Sequence, residues 1–233
     1  MLCGDCLGLG CPNLLEALIG DVDSFGVAIL EVTPEQRHAA IVFREQRAAG
    51  LSVLHLAWHY VLRVDPHTSK YRCVPCKYFD PEELDFFAEH AARIFDANKE
   101  NGIPYGFGYT GGGVFNGDLS FIDKPGAGLT CATFLLAFFN NLGFEILDIQ
   151  SWQNRPDDEQ WQRNIFDHLR SHLDEVSAPA VECLIGQAYR YRPEEVVGAI
   201  GSYQDSPLSF TQAVSIGQQL LAEMRGQPAA RSH

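Results

Sequence analysis

Apolar and polar positions along this chain change period several times. Residues 25–32 (FGVAILEV), 38–43 (HAAIVF) and 51–64 (LSVLHLAWHYVLRV) carry strand-type patterns, divided by turn material at Thr33-Pro34 and Ala49-Gly50. In the third run, Leu54, Leu56, Trp58, Tyr60 and Leu62 fall on one face, and Val53, His55, Ala57, His59 and Val61 on the other. The larger apolar face belongs to the core, which leaves His55 and His59 opposite it. Residues 81–98 switch to a helical period, with Leu84, Phe87, Ala91 and Ile94 in line. Residues 131–143 (CATFLLAFFNNLG) read as an apolar helix that Thr130 caps and Gly143 ends. A short helix is expected over 12–20, opened by Pro12. The tail is helical in pattern over 157–173, 178–189, 193–201 and 209–224, with breaks near Pro156, Pro179, Pro193 and Pro207. Strands followed by helices predict an α+β fold, with a boundary near residue 150: a domain over 1–150 and a helical C-terminal extension over 151–233.

Between Asn101 and Gly128 the chain is rich in glycine and aromatics. Unstructured connections of that length in a compact domain are usually functional or disordered, and Tyr105, Phe107, Tyr109, Phe115 and Phe121 argue for an ordered loop facing a substrate. Tyr105 and Tyr109 are its candidate substrate contacts. Gly106, Gly108 and Gly111 match G-x-G-x-x-G literally, but no strand leads into them and no helix follows, so a dinucleotide fingerprint is set aside.

Composition narrows the classes. With 233 residues, 46% of them hydrophobic, the chain can bury a full core without disulfides. Its 30 acidic and 17 basic residues give a net charge of −13, which argues against nucleic acid or anionic membrane as a partner. No apolar run is long enough to span a bilayer, and the first residues lack the basic and apolar regions of a secretory signal. A cytoplasmic protein without integral membrane association is expected; the oligomeric state stays open. Seven cysteines, an odd number, fit a reducing compartment better than a disulfide framework. Cys3-x-x-Cys6 and Cys73-x-x-Cys76 have the spacing of a four-thiolate zinc site, yet a long stretch separates the pairs and Cys11 is left over. His168 and His172 have helical spacing, but HLRSH lacks the glutamate of a zinc protease. No metal and no organic cofactor is expected.

The candidate chemistry lies at Cys131. A thiol in the first helical turn meets unpaired N–H groups and a positive dipole end, which favour a thiolate and offer donors to an oxyanion. Such a nucleophile needs a base and a group to orient that base. His38, opening the strand HAAIVF, is the candidate base, and His55 on the next strand is the candidate orienter. Cys6, in GDCLG, is the rival nucleophile, but Cys11-Pro12 interrupts the helix that should continue from it.

RHAAIVF followed by VLHLAWH resembles the paired histidine strands of the NlpC-like papain-fold amidases and peptidases, and TCATFLLAFFNNLGF is similar to that family's cysteine helix. Here the cysteine follows the histidines, an order that resembles the family's circularly permuted branch. PYGFGY is similar to a segment that branch carries upstream of the cysteine. Two positions depart from the pattern: Ala132-Thr133 after the cysteine, and Gly106 where an acidic residue is common. The resemblance spans roughly residues 24–147. It implies a permuted papain-like core and a cysteine hydrolase acting on a peptide, isopeptide or other acyl bond through Cys131, His38 and His55. An acyltransferase of the same fold, or a catalytically silent module whose loop 101–121 grips a peptide, are the alternatives.

Overall fold

The computed structural model of the chain describes residues 17–45 and 50–226. Five strands come first: β1 (Phe25–Thr33), β2 (Gln36–Phe43), β3 (Ser52–Trp58), β4 (Val61–Pro66) and β5 (Arg72–Pro75). They form one antiparallel sheet in the order β4-β3-β2-β1-β5. The helices follow: α1 (Pro81–Asn98), α2 (Cys131–Asn141), α3 (Asp158–Leu169), α4 (Ser177–Glu182), α5 (Pro193–Gly201) and α6 (Phe210–Met224). The α+β class read from the sequence is the class observed.

Strand alternation divides the sheet. Phe25, Val27 and Ile29 of β1, Ala39, Ile41 and Phe43 of β2, and Leu54 and Leu56 of β3 enter the main core. There Phe25 stacks on Phe138 of α2 at 5.4 Å and meets Phe87 of α1 edge-on at 5.5 Å, the offset and T-shaped arrangements that aromatic quadrupoles favour. The intervening residues, Ala28, Ala40, Val42 and Val53, form a thin second layer with Val22 on the other face. The main core also takes in Trp152, Leu169, Val196, Ile200, Ile216 and Leu220, so helices beyond residue 150 share it with the sheet. α5 lies directly against β1, β2 and α2.

Three local expectations change. Residues 51–64 form two strands, with a turn at His59-Tyr60 between paired Trp58 and Val61. A two-residue turn alone would reverse the alternation, but the register shift between Leu56 and Trp58 restores it, and His-Tyr carries none of the usual turn chemistry, so pattern alone cannot see the turn. Tertiary contact holds the turn. Tyr60 sits at φ +56°, its N–H donates to the Ile103 carbonyl at 2.9 Å, and Gly102 packs so close to the Tyr60 backbone that a Cβ there would lie 2.2 Å from its carbonyl oxygen. The helix expected over 12–20 lies partly outside the described residues, and 17–20 are not helical. The N–H groups of Leu18 and Ile19 instead donate to Glu223 of α6 at 2.9 and 3.1 Å, and that of Gly20 to Cys73. In the tail, α4 ends at Glu182 rather than running to 189, and α3 tightens into a 3₁₀ turn over Arg170–His172. No described helix is long and apolar enough to cross a membrane.

Candidate active site

The site is built from the start of α2 and the adjoining ends of β2, β3 and β4. Thr130 caps α2 in extended conformation: its hydroxyl accepts the Thr133 N–H at 3.1 Å while the Thr133 hydroxyl accepts the Thr130 N–H at 2.8 Å. This reciprocal capping box fixes the helix start one residue before Cys131. At the other end Gly143 follows the last turn at φ +89°, in the left-handed region that glycine adopts without cost.

A second device places the loop before the helix. Tyr105 and Leu129 form a parallel bridge, with the Leu129 N–H donating to Pro104 at 2.9 Å and the Gly106 N–H to Leu129 at 3.2 Å. Gly106 and Gly128 touch across it, and a Cβ on Gly128 would lie 2.7 Å from the Gly106 nitrogen. Glycine at 128 is therefore required by backbone approach, and a Cβ on Gly106 would sit tightly, 3.1 Å from the Gly128 Cα.

Cys131 is buried, 6% exposed as a residue, and the backbone N–H groups of Ala39, Ala132 and Cys131 itself favour its charged form. Ala39 belongs to β2 and directly follows His38, so the thiol meets the sheet one residue from the candidate base. His38 Nε2 lies 2.8 Å from His55 Nδ1, and His55 Nε2 lies 3.0 Å from Asp65 Oδ2. Arg63 holds the other Asp65 oxygen at 3.0 Å. His38, His55, Arg63 and Asp65 occupy the alternation positions of the thin layer, whereas Ala39 faces the main core with α2. Among the described residues no hydrogen bond joins the Cys131 thiol to either imidazole; the His38 ring is bonded to His55 instead.

Burial sets the electrostatics. It pushes the Cys131 thiol up to about 11 from an ordinary 9.0, outweighing the N–H donors and helped by the Glu194 carboxylate. The low thiol pKa that a helix N-terminus alone suggests is not reached, because desolvation of the charged form exceeds a partial dipole charge. Burial, then the neighbouring His55, lowers His38 from 6.5 to about 4. At pH 7 both groups are neutral in this closed arrangement.

The opening at Cys131 is a cavity of about 40 Å³, lined among others by Arg37, Tyr105, Trp161, Arg190 and Glu194. Small-molecule sites usually measure roughly 300–1,000 Å³. Arg37 of β2 and Glu194 of α5 close it through a two-pronged pair, Nε and Nη2 at 2.8 and 3.1 Å. Tyr105 lines the cavity and packs its ring against Trp58 at 5.1 Å. Tyr109 does not line it. That side chain stands between two larger cavities of about 270 and 290 Å³ flanking the glycine loop, with its ring 6.0 Å from Tyr191. His59 is a buried brace, accepting the Tyr105 N–H on Nδ1 at 3.1 Å.

Asp65 and the Arg37–Glu194 pair are the residues that sequence reading missed. Simple alternation already puts Arg63 and Asp65 on the His55 face, but only the turn at 59–60 together with the register shift between Leu56 and Trp58 brings them alongside His55. Arg37 with Glu194 had no such signal. Of the zinc candidates, Cys3 and Cys6 lie outside the described residues. Cys73 bonds His67 at 3.2 Å beside the thin layer, and Cys76 is buried in the main core. Among the described residues no group of three or more metal-ligating side chains is assembled. No family model, curated protein or solved structure matches the chain.

Proposed function

We propose that this chain is a thiol-dependent acyl-transfer enzyme with a permuted papain-like core, a hydrolase of amide or other acyl bonds, with Cys131 as nucleophile, His38 as base and His55 as its orienter. One observation carries the reading: a thiol sits on the first residue of a capped helix that packs against β2, the strand carrying an imidazole that a second imidazole holds at 2.8 Å. The order of His38, His55 and Cys131 in the chain, and its resemblance to the permuted NlpC-like branch, support it.

In this mechanism substrate entry parts α5 from β2 and frees the thiol from the Ala39 amide. The Cys131 thiol, which packs on the main-core side while His38 stands on the thin-layer side, turns past Ala39 at the start of β2; its proton then passes to His38 Nδ1, and sulfur attacks the carbonyl carbon. The resulting oxyanion is held by N–H groups at the start of α2. Collapse expels the amine or alcohol with the proton from His38, and water, deprotonated by His38, releases the acid from the thioester. An acceptor other than water would make the same site an acyltransferase. Tyr105, at the cavity wall, would contact the acyl group.

The absence of a thiol–imidazole bond among the described residues favours, as a second reading, a silent binding module with the same fold. Incubation with p-nitrophenyl acetate separates the two. The enzyme reading expects one acetyl group on the peptide carrying Cys131, a burst of nitrophenol, and loss of both in Cys131→Ala. Removing the base in His38→Ala should slow acylation by roughly 10²–10⁴. If exposed Cys183 is acetylated and Cys131 is not, the enzyme reading fails.

A further inference from the structure

We propose that Asp65 is a positioning residue that fixes the direction of the whole imidazole chain and thereby leaves His38 Nδ1 unprotonated. The inference deepens the catalytic reading above and rests on it only for its consequence, not for its chemistry.

The bond between His38 Nε2 and His55 Nδ1, 2.8 Å long, is satisfied in either direction. A neutral imidazole carries one N–H and one lone pair, so the direction chosen at this bond dictates the proton on the far nitrogen of each ring. In one arrangement His38 donates, both rings carry hydrogen on Nε2, and His38 Nδ1 has a free lone pair. In the other His55 donates, both rings carry hydrogen on Nδ1, and His38 has nothing left with which to take a proton from sulfur. The two histidines alone do not decide between them.

Asp65 decides. Its Oδ2 lies 3.0 Å from His55 Nε2, and an ionised carboxylate only accepts. The carboxyl is held below its ordinary range first by the hydrogen bond from His55, and Arg63 adds to this from the other oxygen. Tyr71, the other titratable group coupled to Asp65, is itself raised to about 12 by burial and stays neutral. His55 therefore keeps its proton on Nε2 and receives from His38 on Nδ1. The strand geometry makes this possible: β2 and β3 pair directly only from Ile41 and Leu54 onward, and β3 and β4 set His55 opposite Arg63 and Val53 opposite Asp65. The three side chains are thus diagonal neighbours on one face, within reach across the pleat.

The test reads tautomers directly, by ¹⁵N–¹H correlation of the imidazole nitrogens at pH 7, with His38 and His55 assigned through His38→Ala and His55→Ala. Wild type is expected to show both rings protonated on Nε2. Asp65→Leu should move both rings together toward Nδ1 protonation, and Asp65→Asn, whose carbonyl oxygen still accepts, should restore much of the wild-type pattern. His38 protonated on Nδ1 in wild type overturns the proposal, even if no variant folds. Unchanged tautomers in folded Asp65→Leu overturn it as well. Neither result depends on turnover, so an inert Cys131 with the expected tautomers would sink the catalytic reading alone.

Discussion

At the scale of single residues, the central imidazole and thiol are both held in their uncharged forms by burial. Linkage turns this into a stability profile. His38 titrates near 4 when folded and near 6.5 when not, so between those values the unfolded chain binds more protons. Stability from this group is complete above pH 6.5 and is lost as pH falls toward 4, by roughly 3 kcal/mol for a shift of that size. His59 and His90, also lowered by burial, act in the same direction. Urea denaturation across pH 4 to 7 should show this decline, with a flatter slope in His38→Asn; parallel slopes would place its origin elsewhere. Cys131 has the opposite sign: raised from 9.0 to about 11, it withdraws stability as pH climbs through that interval. The thiol and the two histidines were legible as chemistry-bearing residues, but not their ionisation. A helix start in the sequence announces a dipole; the number of atoms that will exclude water from the sulfur is a property of the packed molecule.

At the scale of elements, α2 owes its start to two threonine side chains in a box, and the position of Cys131, the proposed nucleophile, depends on it. Thr130→Ala should destabilise the protein by about 1 kcal/mol in urea titration and lower Cys131 acylation, while Thr130→Ser keeps most of both. Equal stability of all three proteins would mean that packing of the buried apolar helix fixes its register without the cap. This element was readable because its signals are local: a cap, an apolar run and a terminal glycine within fourteen residues of sequence. The β3–β4 hairpin was not, since Tyr60 takes its left-handed conformation from contact with Gly102 and Ile103, far along the chain. The glycines at 106 and 128 were read as part of a substrate loop. In the fold they let two backbone segments touch and so hold Tyr105 beside the helix start.

At the scale of the whole molecule, the C-terminal helices complete the core and shut the site. Arg37 and Glu194 join β2 to α5 with side chains only 11% and 6% exposed. Deleting one partner of such a pair leaves an uncompensated buried charge, so Glu194→Ala should lose roughly 3–5 kcal/mol. The double change Arg37→Met with Glu194→Leu should lose much less, because no charge is stranded. A single-variant loss below about 1 kcal/mol would show that the two side chains are solvated in solution and do not clasp the helix to the sheet. Where the single variant remains folded, Cys131 should alkylate faster than in wild type, since the cavity wall loses its tie.

The sequence by itself determined the α+β class, the two faces of each strand, helices α1, α2, α5 and α6, and which thiol sits at a helix start. These follow from periodicity and capping, which act over a few residues. Tertiary structure decided the rest: the hairpin at 59–60, the alignment of His38, His55 and Asp65 across three strands, the clasp from Arg37 to Glu194, and the neutral state of the buried thiol. Each depends on groups brought together from distant positions, and on how much water their meeting removes, quantities that no local pattern encodes.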